Sequence, residues 1–441
     1  GDTSYIRSTV LDGMSQNSPL YIHGTSSDNK ISNIKLTGFT IINGRQLPGG
    51  NGSFGSGIHI TYADTLKADH LVIRDNNVES NSGGGIHVAQ TNYASFESVV
   101  IRNNQASSQG AGIWSQGTNL DLNNCMINGN SLTGQDDGGG IYLHEQGTAR
   151  FINCTIANNQ ISDGRNGPGF SMNYYIGSDS VLFYNTIFAN NKEASGDLSG
   201  QMHLSWNRMA IVNTYTSTHD GQYNNIREQD NYFTIADPFT SSNPEDHDIM
   251  NQNLDMVLAD YSAAIGAGKS SIRFNGQTVT APVTDFFGSA RPSPQGSSPD
   301  MGAIENSRSK KISRIHVAKS GSDNNNGTQN NPFLTISKGT AVASKGDTVL
   351  VGPGTYFENI VLLDADLHLA SYYLTTGERS YASSLKMSKD SWNLLAATTD
   401  QALSFRQLYA TYDSMSLTLP RKGASSGRNK IVTNLSVFDW Q

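Results

Sequence analysis

Gly57-Ile58-His59-Ile60, Gly85-Ile86-His87-Val88, Gly112-Ile113-Trp114-Ser115, Gly140-Ile141-Tyr142-Leu143 and Gly169-Phe170-Ser171-Met172 are one short phrase written over and over. The steps between the glycines are 28, 27, 28 and 29 residues. A second phrase recurs inside each unit: Val72-Ile73-Arg74-Asp75-Asn76, Val100-Ile101-Arg102-Asn103-Asn104, Met126-Ile127-Asn128-Gly129-Asn130 and Thr155-Ile156-Ala157-Asn158-Asn159. Two apolar ladders and an Asn ladder therefore repeat together. A period in this range is that of a solenoid, whose repeats bury their apolar faces only by stacking on their neighbours.

Each phrase alternates apolar and polar residues, as a strand with one buried face does. Ile58 and Ile60 are read as inward and His59 as outward; Ile141 and Leu143 as inward and Tyr142 as outward. Gly, Asn, Ser and Asp fill the spaces between, without the apolar spacing of a helix. A leucine-rich repeat shares the period and the Asn column, but its return segment carries buried Leu, where this chain has Ser82-Gly83-Gly84-Gly85. The reading is an all-β solenoid, a parallel β-helix whose stacked strands lie about 4.8 Å apart. Asn76, Asn104, Asn130 and Asn159 each fall three residues after an inward Ile. Asn tolerates left-handed backbone and bonds to nearby backbone at turns, so this column is expected to close the corner of every coil.

The 441 residues suffice for two domains or one long solenoid, and 44 Gly with 15% charged residues suit a turn-rich β architecture. The formal net charge of −8, with no basic cluster to offset it, argues against nucleic acid as a partner. No run approaches the roughly 20 apolar residues of a membrane-spanning helix. Gly1 opens the chain without a signal-peptide pattern, as in a mature form or a piece of a longer chain. The two cysteines, Cys125 and Cys154, occupy equivalent inward sites on adjacent coils, where Leu71 and Val99 stand earlier. Two buried thiols and a bridge between coils both fit that placement.

Residues 1–44 read as early coils, and 45–56 as an insertion projecting from them. The pattern loosens after Phe170, gives way to polar loops from about 219 to 262, and stops beyond Ser383. Within 260–305, Asp260-Tyr261-Ser262-Ala263-Ala264-Ile265-Gly266 is followed by Asp285-Phe286-Phe287-Gly288-Ser289-Ala290-Arg291-Pro292 and then Pro299-Asp300-Met301-Gly302-Ala303-Ile304-Glu305. This order resembles the closing segment of bacterial right-handed parallel β-helix proteins of the pectin-lyase-like type, including those called choice-of-anchor proteins. The resemblance implies a right-handed coil with a C-terminal cap over its last turn. Residues 315–361, from Ile315-His316-Val317 through Asn331-Pro332-Phe333 to Gly354-Thr355-Tyr356-Phe357-Glu358, resemble the opposite end of the same architecture. There the resemblance implies a strand, a short helix near 334–344 and a first coil. The organisation read is a β-helix over 1–306, a linker over 307–314, and an opening segment over 315–381 that starts a second β-helix or docks on the first. Residues 382–441 are left unassigned, with a partly helical stretch expected near 391–412.

Enzymes of this architecture that act on polysaccharides carry acids, Arg or Lys on one outer face. Carboxylates there hold calcium or act as general acid and base. Asp136, Asp137, His144 and Glu145 flank one coil and form the best catalytic cluster available, with Asp136 and Asp137 as the calcium candidates. Asp136-Asp137 resembles the paired acids of pectin-hydrolysing enzymes, but the His and Arg-Lys phrases that should follow are absent. Gly354-Thr355-Tyr356-Phe357-Glu358-Asn359-Ile360 resembles an opening phrase of pectin methylesterases, without their catalytic segments. Arg74 and Arg102 take equivalent outward positions, where stacked guanidinium groups can hold a sugar carboxylate. The outward column His59, His87, Trp114 and Tyr142, continued by Ser171 and His203, is expected to form a flat strip for sugar rings.

Two functional classes survive. One is a secreted or cell-surface structural, adhesive or polysaccharide-binding protein, read with other modules of a longer surface protein as partners. The other is a polysaccharide lyase or related carbohydrate-active enzyme. Fold does not choose between them.

Overall fold

The computed structural model describes Ile6 and residues 8–46, 57–145, 147–173, 181–197, 200–204, 256–344, 346–358, 360 and 367–372, with short strands at 209–212, 214–216, 227–229, 232–233, 383–386, 419–420 and 431–432. The 47–56 part of the expected insertion, most of 219–255, the 373–381 end of the opening segment and the expected helix near 391–412 lie outside the described residues. The chain forms two compact units, Gly1–Lys311 and Ile312–Gln441, divided within the linker read from sequence.

In the first unit successive coils contribute strands to four parallel sheets. Ile86–Ala89 lies in sheet I, Tyr93–Glu97 in sheet II, Val100–Arg102 in sheet III and Gln105–Ala106 in sheet IV. Ile86 pairs with Ile58 on one side and Ile113 on the other, so residues about one period apart lie atop each other. The result is a right-handed parallel β-helix. Inward residues such as Ile58, Ile60, Leu66, Ile73, Ile86, Phe96, Ile101 and Ile127 are 0% exposed and form one continuous core. Later coils fill the same space with larger side chains. Phe183 stacks on Phe151 at 4.8 Å and meets Phe170 edge-on at 4.9 Å.

Three corners of the coil are turned by a residue in left-handed backbone. Tyr62, Gln90, Gly117 and Glu145 follow sheet I; His70, Ser98, Asn124, Asn153 and Asn185 follow sheet II; Asn43, Asp75, Asn103, Gly129, Asn158 and Asn190 follow sheet III. The Asn column picked from sequence is therefore offset by one from the strained position, since Asn103 and not Asn104 carries φ 51°. Asn76, Asn104, Asn130 and Asn159 instead bury their side chains behind that corner. Each Nδ2 donates to the next Oδ1, Asn76 to Asn104 at 2.9 Å, Asn104 to Asn130 at 3.0 Å, Asn130 to Asn159 at 2.9 Å and Asn159 to Asn191 at 2.8 Å. Gln201 closes the series by accepting from Asn191 Nδ2 at 2.8 Å and donating to Asn191 O at 2.6 Å. Aligned amides polarise one another, which strengthens the run. The repeated Gly85 packs against it: a Cβ there would lie 2.7 Å from Gly112 O and 2.9 Å from Asn104 Nδ2.

Residues 256–306 do not sit over the last turn alone, as the resemblance implied. Met256, Leu258, Ala264, Ile265, Met301, Ala303 and Ile304 pack along the outer side of sheet III, against Val72, Val100, Met126, Ala157, Ile187 and Ala189. The corner after sheet II supplies the polar docking points. Asn124 Nδ2 donates to Thr284 O at 2.8 Å, Asn153 Nδ2 to Asp300 O at 3.0 Å and Asn185 Nδ2 to Lys269 O at 2.8 Å. The hairpin Ser271–Phe274 with Gln277–Thr280 covers Ile152, Leu182 and Tyr184 through Ile272, Phe274 and Val279.

In the second unit Arg314–Val317, Thr348–Val351 and His368–Ser371 form a parallel sheet. The helix α1, Ile336–Val342, falls within the expected 334–344. Thr335 caps it, with Oγ1 accepting from Lys338 N at 3.1 Å. Gly339 allows it to press close to Val317 and Val349.

Candidate functional site

Sheet I presents its outer column in register, with Tyr21, His59, His87, Trp114, Tyr142 and Ser171 on successive coils. The rings stack nearly parallel, Tyr21 on His59 at 4.8 Å, His59 on His87 at 4.8 Å and His87 on Trp114 at 4.3 Å. His144 joins Trp114 from the next coil at 6.3 Å. The column points outward as read, but an open strip is not what results. His59, His87 and Tyr142 are 1%, 4% and 1% exposed. The corner from sheet IV folds back across them, and its glycines make the close pass possible: a Cβ on Gly83 would lie 2.9 Å from His87 Cβ, and one on Gly138 3.0 Å from Tyr142 Cβ. Burial, and then the neighbouring His59, lowers the His87 pKa to about 3, so the His87 imidazole is neutral at ordinary pH. Tyr21, 52% exposed, and the half-buried Trp114 are the rings of the column that reach solvent. Trp114 Nε1 is held by Gln109 Oε1 at 3.3 Å. Of the two residues continuing the column, Ser171 is buried and His203 half-buried.

The acids proposed for chemistry serve as ties between coils. Asp136 Oδ2 accepts from Ser108 Oγ at 2.9 Å on the coil before, and Asp137 Oδ1 from Asn166 N at 2.9 Å on the coil after. Glu145 Oε2 accepts from Gln116 Nε2 at 3.0 Å. Asp136-Asp137 and His144-Glu145 stand at opposite ends of the strand Ile141–His144 and do not form one cluster. Among the described residues no group of three or more His, Cys, Asp and Glu is placed to hold a metal ion. Arg74 pairs in register with Arg102, and its guanidinium bonds to Asp75 beside it. In the second unit Glu358, from the phrase shared with methylesterases, accepts from Ile336 N at 3.0 Å and Ser337 N at 2.8 Å at the start of α1.

Cys125 and Cys154 are free thiols, each fully buried. Burial, followed by the adjacent Cys154, pushes the Cys125 thiol well above its usual range. Their Sγ atoms lie 3.4 Å from Phe96 O and 3.4 Å from Leu122 O respectively.

One polar group went unread in the sequence. On the outer side of sheet II, Tyr93 Oη donates to Asp121 Oδ2 at 2.7 Å, and Arg150 grips the same carboxylate with Nε at 2.7 Å from Oδ1 and a second bond from Nη2. Burial first, then Asp121, raises the Tyr93 hydroxyl to about 12. Asp121 and Arg150 stack directly, so a search for opposite charges one period apart would have found them.

Residues 56–231 match the family described as a right handed beta helix region. The chain carries a right-handed β-helix domain. Residues 319–361 match a second family, described as a protein of unknown function (DUF1565). No curated relative matches the chain. The match to the β-helix domain takes in the ring column from His59 onward, the Asn ladder and both cysteines, and so defines their scaffold without assigning them chemistry.

Proposed function

We propose that this β-helix domain is a structural and adhesive module of a secreted or cell-surface protein that meets polysaccharide through the exposed rings of sheet I. The observation that carries the reading is where the charged side chains go. Asp136, Asp137, Glu145 and Arg150 each bond to a neighbouring coil, which stiffens the solenoid and engages the groups an acid–base mechanism would use. Tyr21, 52% exposed, and the half-buried Trp114 bring ring edges and polar tips of the stacked column to solvent, where the C–H groups and hydroxyls of sugar rings can meet them. The likeness of residues 260–305 to closing segments of bacterial choice-of-anchor proteins supports a surface location.

The test is retention on a glycan array by the whole chain and by Tyr21→Ala and Trp114→Ala. Loss of an array signal in either variant, with circular dichroism unchanged, is expected. Equal retention by both variants would remove the rings from the reading. A parallel panel of acidic polysaccharides, with and without calcium, is followed for unsaturated products and reducing ends. Product formation would replace the adhesive reading with a lyase or hydrolase.

A further inference from the structure

Residues 256–306 hold a group of ionisable side chains far from the ring column. Arg291, Asp285 and Asp300 are 7%, 3% and 0% exposed, and the Glu305 side chain is 1% exposed. Arg291 Nε lies 3.4 Å from Glu305 Oε1. Its Nη1 donates to Asp300 O at 3.1 Å, and its Nη2 to Gly302 O and Ala303 O at 3.2 Å and to Asn124 Oδ1 at 3.4 Å. Asp300 accepts from Gly266 N and Asn306 N, both at 2.6 Å. Glu305 accepts from Asp300 N at 3.0 Å, and Asp285 from Glu305 N at 3.2 Å.

Three carboxyls thus face one guanidinium. Fully ionised they leave two negative charges uncompensated (three less one) where water does not reach, and burying unpaired charge is costly. A proton is the simplest relief. The groups that bear on Asp300 are Glu305 and Arg291, with Asp285 beyond them. From the coils, Cys154 and Tyr184 contribute to the field at Arg291, while Asn124, Asn153 and Thr155 are neutral. Burial, then the charge of Glu305, raises the Asp300 carboxyl to about 7, and burial raises Glu305 as well.

The same atoms dock the segment on the coils. Asp300 O and Gly302 O each accept from both Arg291 and Asn153 Nδ2, and Asn124 bonds to Arg291 through Oδ1 and to Thr284 O through Nδ2. Strain in the cluster therefore falls on the bonds to the solenoid. We propose that Arg291, Asp285, Asp300 and Glu305 form a proton-controlled clasp, which holds residues 256–306 on sheet III in mild acid and loosens them as pH rises. The sign follows from linkage: a carboxyl whose folded pKa is raised contributes stability that is complete below its unfolded pKa, near 3.8, and is lost as pH rises to about 7. Loosening uncovers Val100, Met126 and Ile187, an apolar stripe that the closed form hides.

The experiment is hydrogen exchange by mass spectrometry on the whole chain from pH 5 to 8, corrected for intrinsic rates, in the wild type, Asp300→Asn and Glu305→Gln. Protection of peptides over 285–305 is expected to fall by up to about tenfold per pH unit between pH 5 and 7 in the wild type. Asp300→Asn flattens that fall. Glu305→Gln removes the neighbouring charge and moves the fall to lower pH. A flat wild-type profile, or the same fall in Asp300→Asn, overturns the clasp. Should Asp300→Asn not fold, Glu305→Gln decides alone: a fall left where it was overturns the proposal.

Discussion

Asn130 stands in the middle of the amide run, and replacing it tests whether that run holds the coils together. Its Oδ1 accepts from Asn104 N and Asn104 Nδ2, both at 3.0 Å, while its Nδ2 donates to Ile101 O at 3.0 Å and Asn159 Oδ1 at 2.9 Å. Alanine removes all of these. Asn104 Nδ2 keeps Ile73 O, Asn159 Oδ1 keeps Asn130 N, and Ile101 O stays in the ladder between Val100–Arg102 and Met126–Asn128, so the group deserted outright is the Asn104 N–H. The site is 0% exposed, so water does not replace what is lost. At about 1–3 kcal/mol for the deserted N–H and about 1 kcal/mol more for the other bonds lost, Asn130→Ala should cost about 3 kcal/mol. Asn130→Asp keeps the acceptor but turns a carboxylate oxygen toward Ile101 O and Asn159 Oδ1, so it should cost more than alanine. The exposed Gln105→Ala is the control, expected within about 0.5 kcal/mol of wild type. Urea denaturation by circular dichroism gives the ranking, and hydrogen exchange over 100–102 and 126–128 places it. An alanine variant no weaker than the control, or an aspartate variant no weaker than alanine, refutes the reasoning.

The column of glycines makes a second test. A Cβ on Gly85 would stand 2.7 Å from Gly112 O and 2.9 Å from Ile101 Cγ2, so Gly85→Ala should lower stability by about 3 kcal/mol or more, read as a fall in Tm. At Gly164 nothing lies within 4 Å, and alanine there pays only for its φ of +71°, about 1–2 kcal/mol; equal losses at both sites would contradict the packing argument. The thiols of Cys125 and Cys154 should resist a thiol-reactive probe at pH 8 in the native protein and react fully in denaturant. Rapid native labelling would contradict their burial.

The coil was legible because a stacked fold repeats its side chains in columns, and Ile58, Ile86 and Ile113 declare the register by themselves. The corner was harder to place, because Asn103-Asn104 and Asn158-Asn159 are doublets and either member suits left-handed backbone. Only coordinates show that the first turns the chain and the second is buried. Exposure of the ring column was not legible at all. His87 is covered by a corner passing through Gly83, and the path of an irregular corner leaves no periodic trace. The flank segment escaped for a related reason: Asn153 meets Asp300 across 147 residues, and nothing local marks either as the other's partner. Asp136 and Asp137 looked like chemistry because acids beside a turn are equally suited to binding a cation and to capping the next loop.

Asn104 receives from Asn76 and gives to Asn130 through identical atoms, and Ile86 is flanked by Ile on both sides. Excising residues 86–112 whole would set Ile113 on Ile58 and Asn130 against Asn76, with like meeting like. A cut within a strand would throw the columns beyond it out of phase, whereas the corners absorb differences of a few residues, as the steps of 26 to 32 between paired sheet III strands show. Lineages of this solenoid are thus free to lengthen or shorten by complete turns, as beads are added to a string. That freedom is limited by the flank, which covers Val72 and Val100 and, from Asn124 onward, also grips specific turns by hydrogen bonds.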